Sequence, residues 1–210
     1  HHLDIASEEA MLFQRLAGHL LYNDAALRPS SAVLRRRNGG LPALWAHGIS
    51  GDLPVVVVRI DDADDLGIVR QLLRAFEYWR LKRLAVDLVI LNERASSYVQ
   101  DLQTALETLT RTGLSRPAIH GETPRGGVFI LRSDIIASGA RLALLSAARA
   151  VLLSRQGSLA EQIDRLDHSA PPAKPPAVTS PAPDPAPSAP RDLPALEFFN
   201  GLGGFANDGE

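Results

Sequence analysis

The sequence contains no cysteine, a single methionine and only 5% aromatic residues in a length of 210. Without cysteine there is no disulfide framework, no thiolate zinc site and no cysteine nucleophile. Neither sign of charge is in excess, since 22 Lys and Arg against 24 Asp and Glu leave a net charge of −2. A nucleic-acid binder draws its affinity from Lys and Arg that neutralise phosphates, so this balance argues against one. No apolar run approaches the roughly 18–20 residues that a membrane span requires. The first ten residues carry the acidic pair Glu8-Glu9 and no apolar stretch, so they do not read as a signal peptide. What is present is 45% hydrophobic residues, enough for a true core.

Proline divides the chain. Ten of its 15 prolines fall between Pro171 and Pro194, in text such as Pro181-Ala182-Pro183-Asp184-Pro185 that has no aromatic residue. Such a stretch lacks backbone donors and has little to bury, so an extended, polyproline-like linker is expected at residues 169–195. Beyond it Phe198, Phe199 and Phe205 surround Gly201, Gly203 and Gly204. Three aromatics with almost nothing following to bury them read as the first strand of a further β-sandwich domain, starting at 196–210. With Met11 the only methionine, the chain reads as a segment of a longer polypeptide.

Residues 1–168 form the expected body. Phe13, Leu16, Ala17, Leu20 and Leu21 keep helical spacing after Ser7, a candidate N-cap, with Glu8-Glu9 in the first turn. A second helix is expected at residues 25–36, with Pro29 near its first turn. Three apolar runs without alternation predict buried strands at 55–60, 86–91 and 127–131. Asp64 is a candidate cap for a helix whose face is Ile68, Leu72, Phe76 and Trp79. Ser97 and Gln100 offer a capping box before Leu102, Leu106 and Leu109. The third strand is followed by a long helix expected through Leu145, Ala148 and Leu152, stopped by Gly157. Ser158 and Glu161 offer a second capping box for a last helix. Three βα units of this kind predict an α/β fold, a three-layer parallel sheet with N-terminal helices.

Chemical motifs are scarce. Gly48-Ile49-Ser50-Gly51-Asp52 is superficially similar to a nucleophile elbow, but it lacks the fifth-position glycine and precedes a strand rather than a helix. It reads as a structural turn. Gly201, Gly203 and Ala206 match a dinucleotide pattern in letters only, because Asn207-Asp208-Gly209 cannot open a helix. The histidines at 1, 2, 19, 47, 120 and 168 contain no i, i+4 pair, so no metal and no cofactor are expected. Ligands of parallel sheets bind outside the carboxyl ends of the strands. Those ends carry Asp61 and Asp62, Asn92 to Arg94, and Arg132 to Asp134. Asp61, Asn92, Arg132 and Asp134 are the candidate ligand-binding residues, set against the plainer reading of helix caps and a solvated rim. No catalytic residue is identified.

Several longer strings carry a resemblance. They include Leu44-Trp45-Ala46, Gly48-Ile49-Ser50-Gly51-Asp52-Leu53-Pro54, Tyr78-Trp79-Arg80, Ala85-Val86-Asp87-Leu88-Val89-Ile90-Leu91-Asn92-Glu93 and Gly126-Gly127-Val128-Phe129-Ile130-Leu131-Arg132. With the closing Phe198-Phe199-Asn200-Gly201-Leu202-Gly203-Gly204-Phe205, they resemble the bacterial cyclic β-1,2-glucan synthases over nearly the whole chain except the Pro/Ala stretch. The resemblance implies a place inside a large inner-membrane enzyme, on its cytoplasmic side. Such enzymes join a glycosyltransferase module that uses UDP-glucose to a C-terminal module like the inverting cellobiose phosphorylases. This segment corresponds to the region between a first β-sandwich and the one preceding the phosphorylase-type barrel. The family's catalytic acid lies in that barrel, so no catalytic residue carries over.

Two readings therefore compete. One is a non-catalytic interdomain module whose partners are neighbouring domains of the same polypeptide and the β-glucan chain, with no direct membrane contact. The other is a small independent α/β enzyme, or a glycan-binding module, using the strand ends. For glycan binding, Trp45 in its loop is the discriminating side chain, whereas Trp79 lies on an apolar helical face and belongs in the core.

Overall fold

The computed structural model describes residues 5–22, 25–29, 31–35, 40, 42–94, 99–113 and 126–169. All belong to one compact unit, His1–Ala170. The Pro/Ala stretch after Ser169 and the phenylalanine-rich tail lie outside the described residues, as does Ser97 of the first expected capping box.

Among the described residues four strands, β1 (Val55–Ile60), β2 (Asp87–Asn92), β3 (Val128–Arg132) and β4 (Ala148–Leu153), form one sheet in the order β3-β2-β1-β4, every pair parallel. The helices are α1 (Ser7–Tyr22), α2 (Ser31–Arg35), α3 (Pro42–Trp45), α4 (Leu66–Leu81), α5 (Val99–Gly113), α6 (Ser138–Ala147) and α7 (Leu159–Ser169). The expected three-layer architecture is what the chain adopts, and the burial of β1 on both faces shows why. Val56, Val58 and Ile60 pack into a core shared with α1, α4, α5 and α7. Val55 and Val57 enter a second core with Leu44 of α3, Ile49 and Leu144 of α6. A central strand with a helical layer on each face has no solvent side, so β1 and β2 are apolar at successive positions rather than at every second one.

The first core is fixed by directed contacts as well as by area. Trp79, 1% exposed, donates its indole Nε1–H to the backbone oxygen of Phe13 at 3.0 Å, locking α4 against α1. Phe13 and Tyr78 rings lie 5.9 Å apart, and Glu9 meets Arg74 at 2.6 Å. Arg15 to Asp164 at 2.7 Å ties α1 to α7.

Three local expectations are corrected. The long helix through Leu152 ends at Ala147, and the next residue begins β4. Leu145, Ala148 and Leu152 have helical spacing and alanine favours helix, yet Ala148, Ala150 and Leu152 also alternate. These three are 0% exposed, whereas Arg149, Val151 and Leu153 are half-buried: Ala148 pairs with Val55 and enters the second core, and after a register shift Ala150 and Leu152 face the first, so pairing with β1 is what buries the segment. Gly157 therefore closes a 3₁₀ turn after β4, at φ +90°, rather than a long helix. Second, the helix expected at residues 25–36 divides into a 3₁₀ turn at Ala25–Leu27 and α2, with Pro29 between them where it cannot continue a hydrogen-bonded turn. Third, Asp64 does not cap α4. Its N–H is taken by Asp62 Oδ1 at 3.1 Å, and the helix starts at Leu66 after Asp65. The second capping box is formed as expected: Ser158 N–H donates to Glu161 Oε2 at 2.7 Å, and Glu161 N–H to Ser158 Oγ at 3.3 Å. These bonds hold the Glu161 carboxyl below the ordinary carboxylate range.

Candidate functional site

From β1 the chain adds β2 and β3 on one side, then returns to add β4 on the other. The crevice of such a sheet lies outside the carboxyl ends of β1 and β4, where the order reverses. A nucleotide-binding sheet places a glycine-rich turn there, so that phosphate oxygens reach the N–H groups of the following helix. Here that turn is Asp61-Asp62-Ala63-Asp64-Asp65. Four carboxylates ahead of α4 suit the helix dipole themselves and repel a phosphate.

The turn is also closed from the β4 side. Arg155, just after β4, donates from Nε to Asp61 Oδ1 at 3.0 Å and reaches Oδ2 with its second nitrogen. Ser154 Oγ–H donates to Asp65 Oδ2 at 2.8 Å. Two links from the end of β4 thus span the reversal point to the β1–α4 turn. Gln162 of α7 braces β4 by donating to Leu153 O and Gly157 O, each at 2.9 Å.

The other nominated residues are spread along the same rim. Asn92, 2% exposed, donates from Nδ2 to Gln103 Oε1 at 3.2 Å, and its Oδ1 accepts the Arg94 N–H at 3.1 Å. Arg132 and Asp134 form a two-bond pair at 3.1 and 2.6 Å. Hydrogen bonding from Arg132 holds the exposed Asp134 carboxyl below its ordinary value, and the Arg132 guanidinium is pushed up in return. Two strand spacings of about 4.8 Å separate the end of β1 from that of β3, so Asp61 and Arg132 stand roughly 10 Å apart across the sheet. The four candidates therefore occupy one rim in three separate groups, each engaged with a neighbour inside the domain.

Glu93 is the rim's most connected residue, and it is absent from the nominated four. Its side chain is 18% exposed; Oε2 takes both Nε–H and a terminal N–H of Arg59 at 2.9 Å, and Oε1 is held by Arg141 of α6. Nothing near Glu93 in the sequence announces this, because Arg59 and Arg141 lie 34 and 48 residues away. Among the described residues no group of three His, Asp or Glu is placed to hold a metal ion.

The Gly48–Pro54 string lies at the opposite rim, leading into the amino end of β1. Its backbone turns through Gly48 and Gly51, both at positive φ (77° and 80°). Ile49 is fully buried and donates its N–H to Leu44 O at 3.2 Å. Trp45, 61% exposed, donates Nε1–H to Ser50 O at 3.1 Å. Nearby, Gly126 passes so close to β2 that a Cβ there would sit 2.2 Å from the Val86 carbonyl oxygen. That approach lets Gly127 N–H reach Asp87 Oδ1 at 3.0 Å. Burial pushes the Asp87 carboxyl up, the Gly127 N–H pulls it back down, and the charge of Asp52 adds to the rise.

Fold and rim together define a doubly wound parallel α/β domain whose strand-end groups pair with one another, and the resemblance of its sequence to a segment of the cyclic β-1,2-glucan synthases is borne out. The chain is 38% identical over 216 aligned residues to the cyclic beta-(1,2)-glucan synthase NdvB of Rhizobium meliloti (strain 1021). The match takes in 99% of the chain and spans 8% of that protein's length. No family model matches the chain. Among the described residues, no helix is long and apolar enough to cross a membrane.

Proposed function

We propose that this chain is a non-catalytic interdomain module of a cyclic β-1,2-glucan synthase-like enzyme, where it positions neighbouring carbohydrate-active modules of the same polypeptide. The parent reaction would be glucosyl transfer from UDP-glucose, with a phosphorylase-like module controlling chain length and this segment on the cytoplasmic side of the inner membrane. The observation that carries the reading is the first βα turn. Its four aspartates disfavour the diphosphate of a sugar nucleotide, and Asp61 and Asp65 are already bonded to Arg155 and Ser154. A general acid or base needs a carboxyl free to face its substrate; both oxygens of Glu93 are engaged by arginines of the domain. Similarity across 99% of the chain to 8% of a glucan synthase supports a part rather than a separate enzyme.

The test is direct. The 210-residue chain is incubated with UDP-glucose, and separately with β-1,2-glucan and phosphate. The expected result is no UDP and no glucose 1-phosphate above background. Turnover that Asp61→Asn or Asp134→Asn abolishes would instead establish the competing reading, a small enzyme at the strand ends.

A further inference from the structure

The chain has two tryptophans, and they differ completely in burial: Trp79 is 1% exposed and Trp45 61%. Exposure alone separates Trp45 little from Met11 or Ile135, which are 63% and 69% exposed. What distinguishes it is the way its ring is held. Leu44, its neighbour in α3, and Ile49 are both fully buried in the second core. Between them the chain turns at Gly48, and the indole Nε1–H is spent on Ser50 O. Ser50 Oγ in turn accepts the Asp52 N–H at 3.2 Å. The loop thus fixes the indole by its one polar atom and leaves its apolar surface facing water, beside the exposed Ser50 and Asp52.

An aromatic platform whose conformational cost is already met in the free protein is suited to binding without further ordering. A flat apolar surface in a loop that also exposes a hydroxyl and a carboxylate matches a particular ligand chemistry. In β-linked glucopyranose the hydroxyls are equatorial, so each ring face presents C–H groups while the rim presents hydroxyl donors. Such a face suits stacking on an indole, and rim hydroxyls suit donation to a carboxylate such as that of Asp52, which has acceptors only. We propose that Trp45, with Ser50 and Asp52, forms a stacking subsite for one glucosyl unit of a β-linked glucan. The subsite lies at the amino ends of the strands, away from the rim that the sequence nominates. It rests on the reading of this domain as part of a glucan-synthesising enzyme and adds to that reading a place where the glucan touches it.

The experiment is an NMR titration of the isotopically labelled 210-residue chain with linear β-1,2-gluco-oligosaccharides, with cello-oligosaccharides in a second series. The Trp45 indole N–H and the amides of Ser50 to Asp52 should shift saturably while the buried Trp79 indole stays still. Trp45→Ala should weaken binding about tenfold, the upper range of what one aromatic face supplies. Trp45→Phe should retain part of it. An unchanged Trp79 resonance in both variants reports an intact fold. No saturable shift with either sugar, or a shift that Trp45→Ala leaves unaltered, would overturn the subsite. Neither result bears on whether the domain is catalytic, which the turnover assay decides separately.

Discussion

The guanidinium of Arg155 closes on the carboxylate of Asp61 across the point where the strand order reverses, joining residues 94 positions apart in the chain. In a sheet of this topology that crevice is where a ligand is usually received. Here it is bridged by the domain's own side chains, and pairing within the domain recurs at Glu93 and at Arg132. The carboxyl rim behaves as a brace between β1, β2, β4 and α6.

The brace contributes modestly to stability. Arg155 is 78% exposed, so solvent screens the pair. Arg155→Ala should cost about 0.2–1 kcal/mol, which lowers the melting temperature by at most about 4 °C for a domain of this size. Thermal unfolding followed by circular dichroism checks this.

The two tryptophans should respond oppositely to truncation. Trp79→Ala opens a cavity in the first core and removes the bond to the Phe13 carbonyl, at a cost of about 3–5 kcal/mol. Trp45→Ala removes an exposed ring and should stay within about 0.5 kcal/mol. Urea unfolding midpoints of the two variants give the comparison. Equal losses would show that the loop around Trp45 depends on the ring it displays.

The edge strand β4 has its own signature. Ala150 is fully buried against β1, so Ala150→Leu overpacks that site and should cost about 1–3 kcal/mol. Arg149, its half-exposed neighbour, should tolerate alanine within about 0.5 kcal/mol. A continuous helix through Leu152 would not impose this alternation of tolerant and intolerant positions.

Asp87 predicts a pH dependence. Its carboxyl is raised in the folded state, chiefly by burial, so the fold binds its proton more tightly than the unfolded chain does. The group's contribution is therefore most favourable at low pH and declines as pH rises from the ordinary aspartate value of 3.8 through the raised one. Asp87→Asn keeps an oxygen to accept the Gly127 N–H and removes the titration. The stability difference, variant minus wild type, should grow with pH over that interval and then level off. Urea midpoints collected from pH 4 to 7 measure it, and a difference that shrinks with pH would reverse the assignment.

Much of the fold was legible because β1, β2 and β3 are short apolar runs, the first rich in valine, each followed by a helical pattern. β4 was hidden by composition: Ala148 and Ala150 look like a continuation of α6 until a partner strand gives them a face. Pro29 and the aspartates before α4 were visible as residues, but which turn each would close depended on hydrogen bonds formed only in the fold. The candidate site was legible only as a location. Asp61, Asn92, Arg132 and Asp134 do lie at the strand ends, yet the partners of Asp61 and Asn92 are Arg155 and Gln103, which arrive from the turn after β4 and from α5. The Arg132–Asp134 pair and the bond from the Arg94 N–H to Asn92 are local, two residues apart. Trp45 is visible in the sequence as an aromatic outside the apolar helical faces; that its indole is pinned to Ser50 follows from a turn geometry no periodicity reveals.

The most direct test of the central claim replaces Asp61 and Asp134 with Asn, singly and together, in a cyclic β-1,2-glucan synthase carrying this chain as its segment. Initial rates of glucosyl transfer and the chain-length distribution of the product are then measured. If the rim carboxylates brace the domain, rates should stay within about twofold and the distribution should be unchanged, because side chains remote from the chemistry rarely affect it beyond small stability losses. A fall of about a hundredfold or more, the range expected when a general acid or base is removed, would contradict the account and make the strand ends a catalytic site.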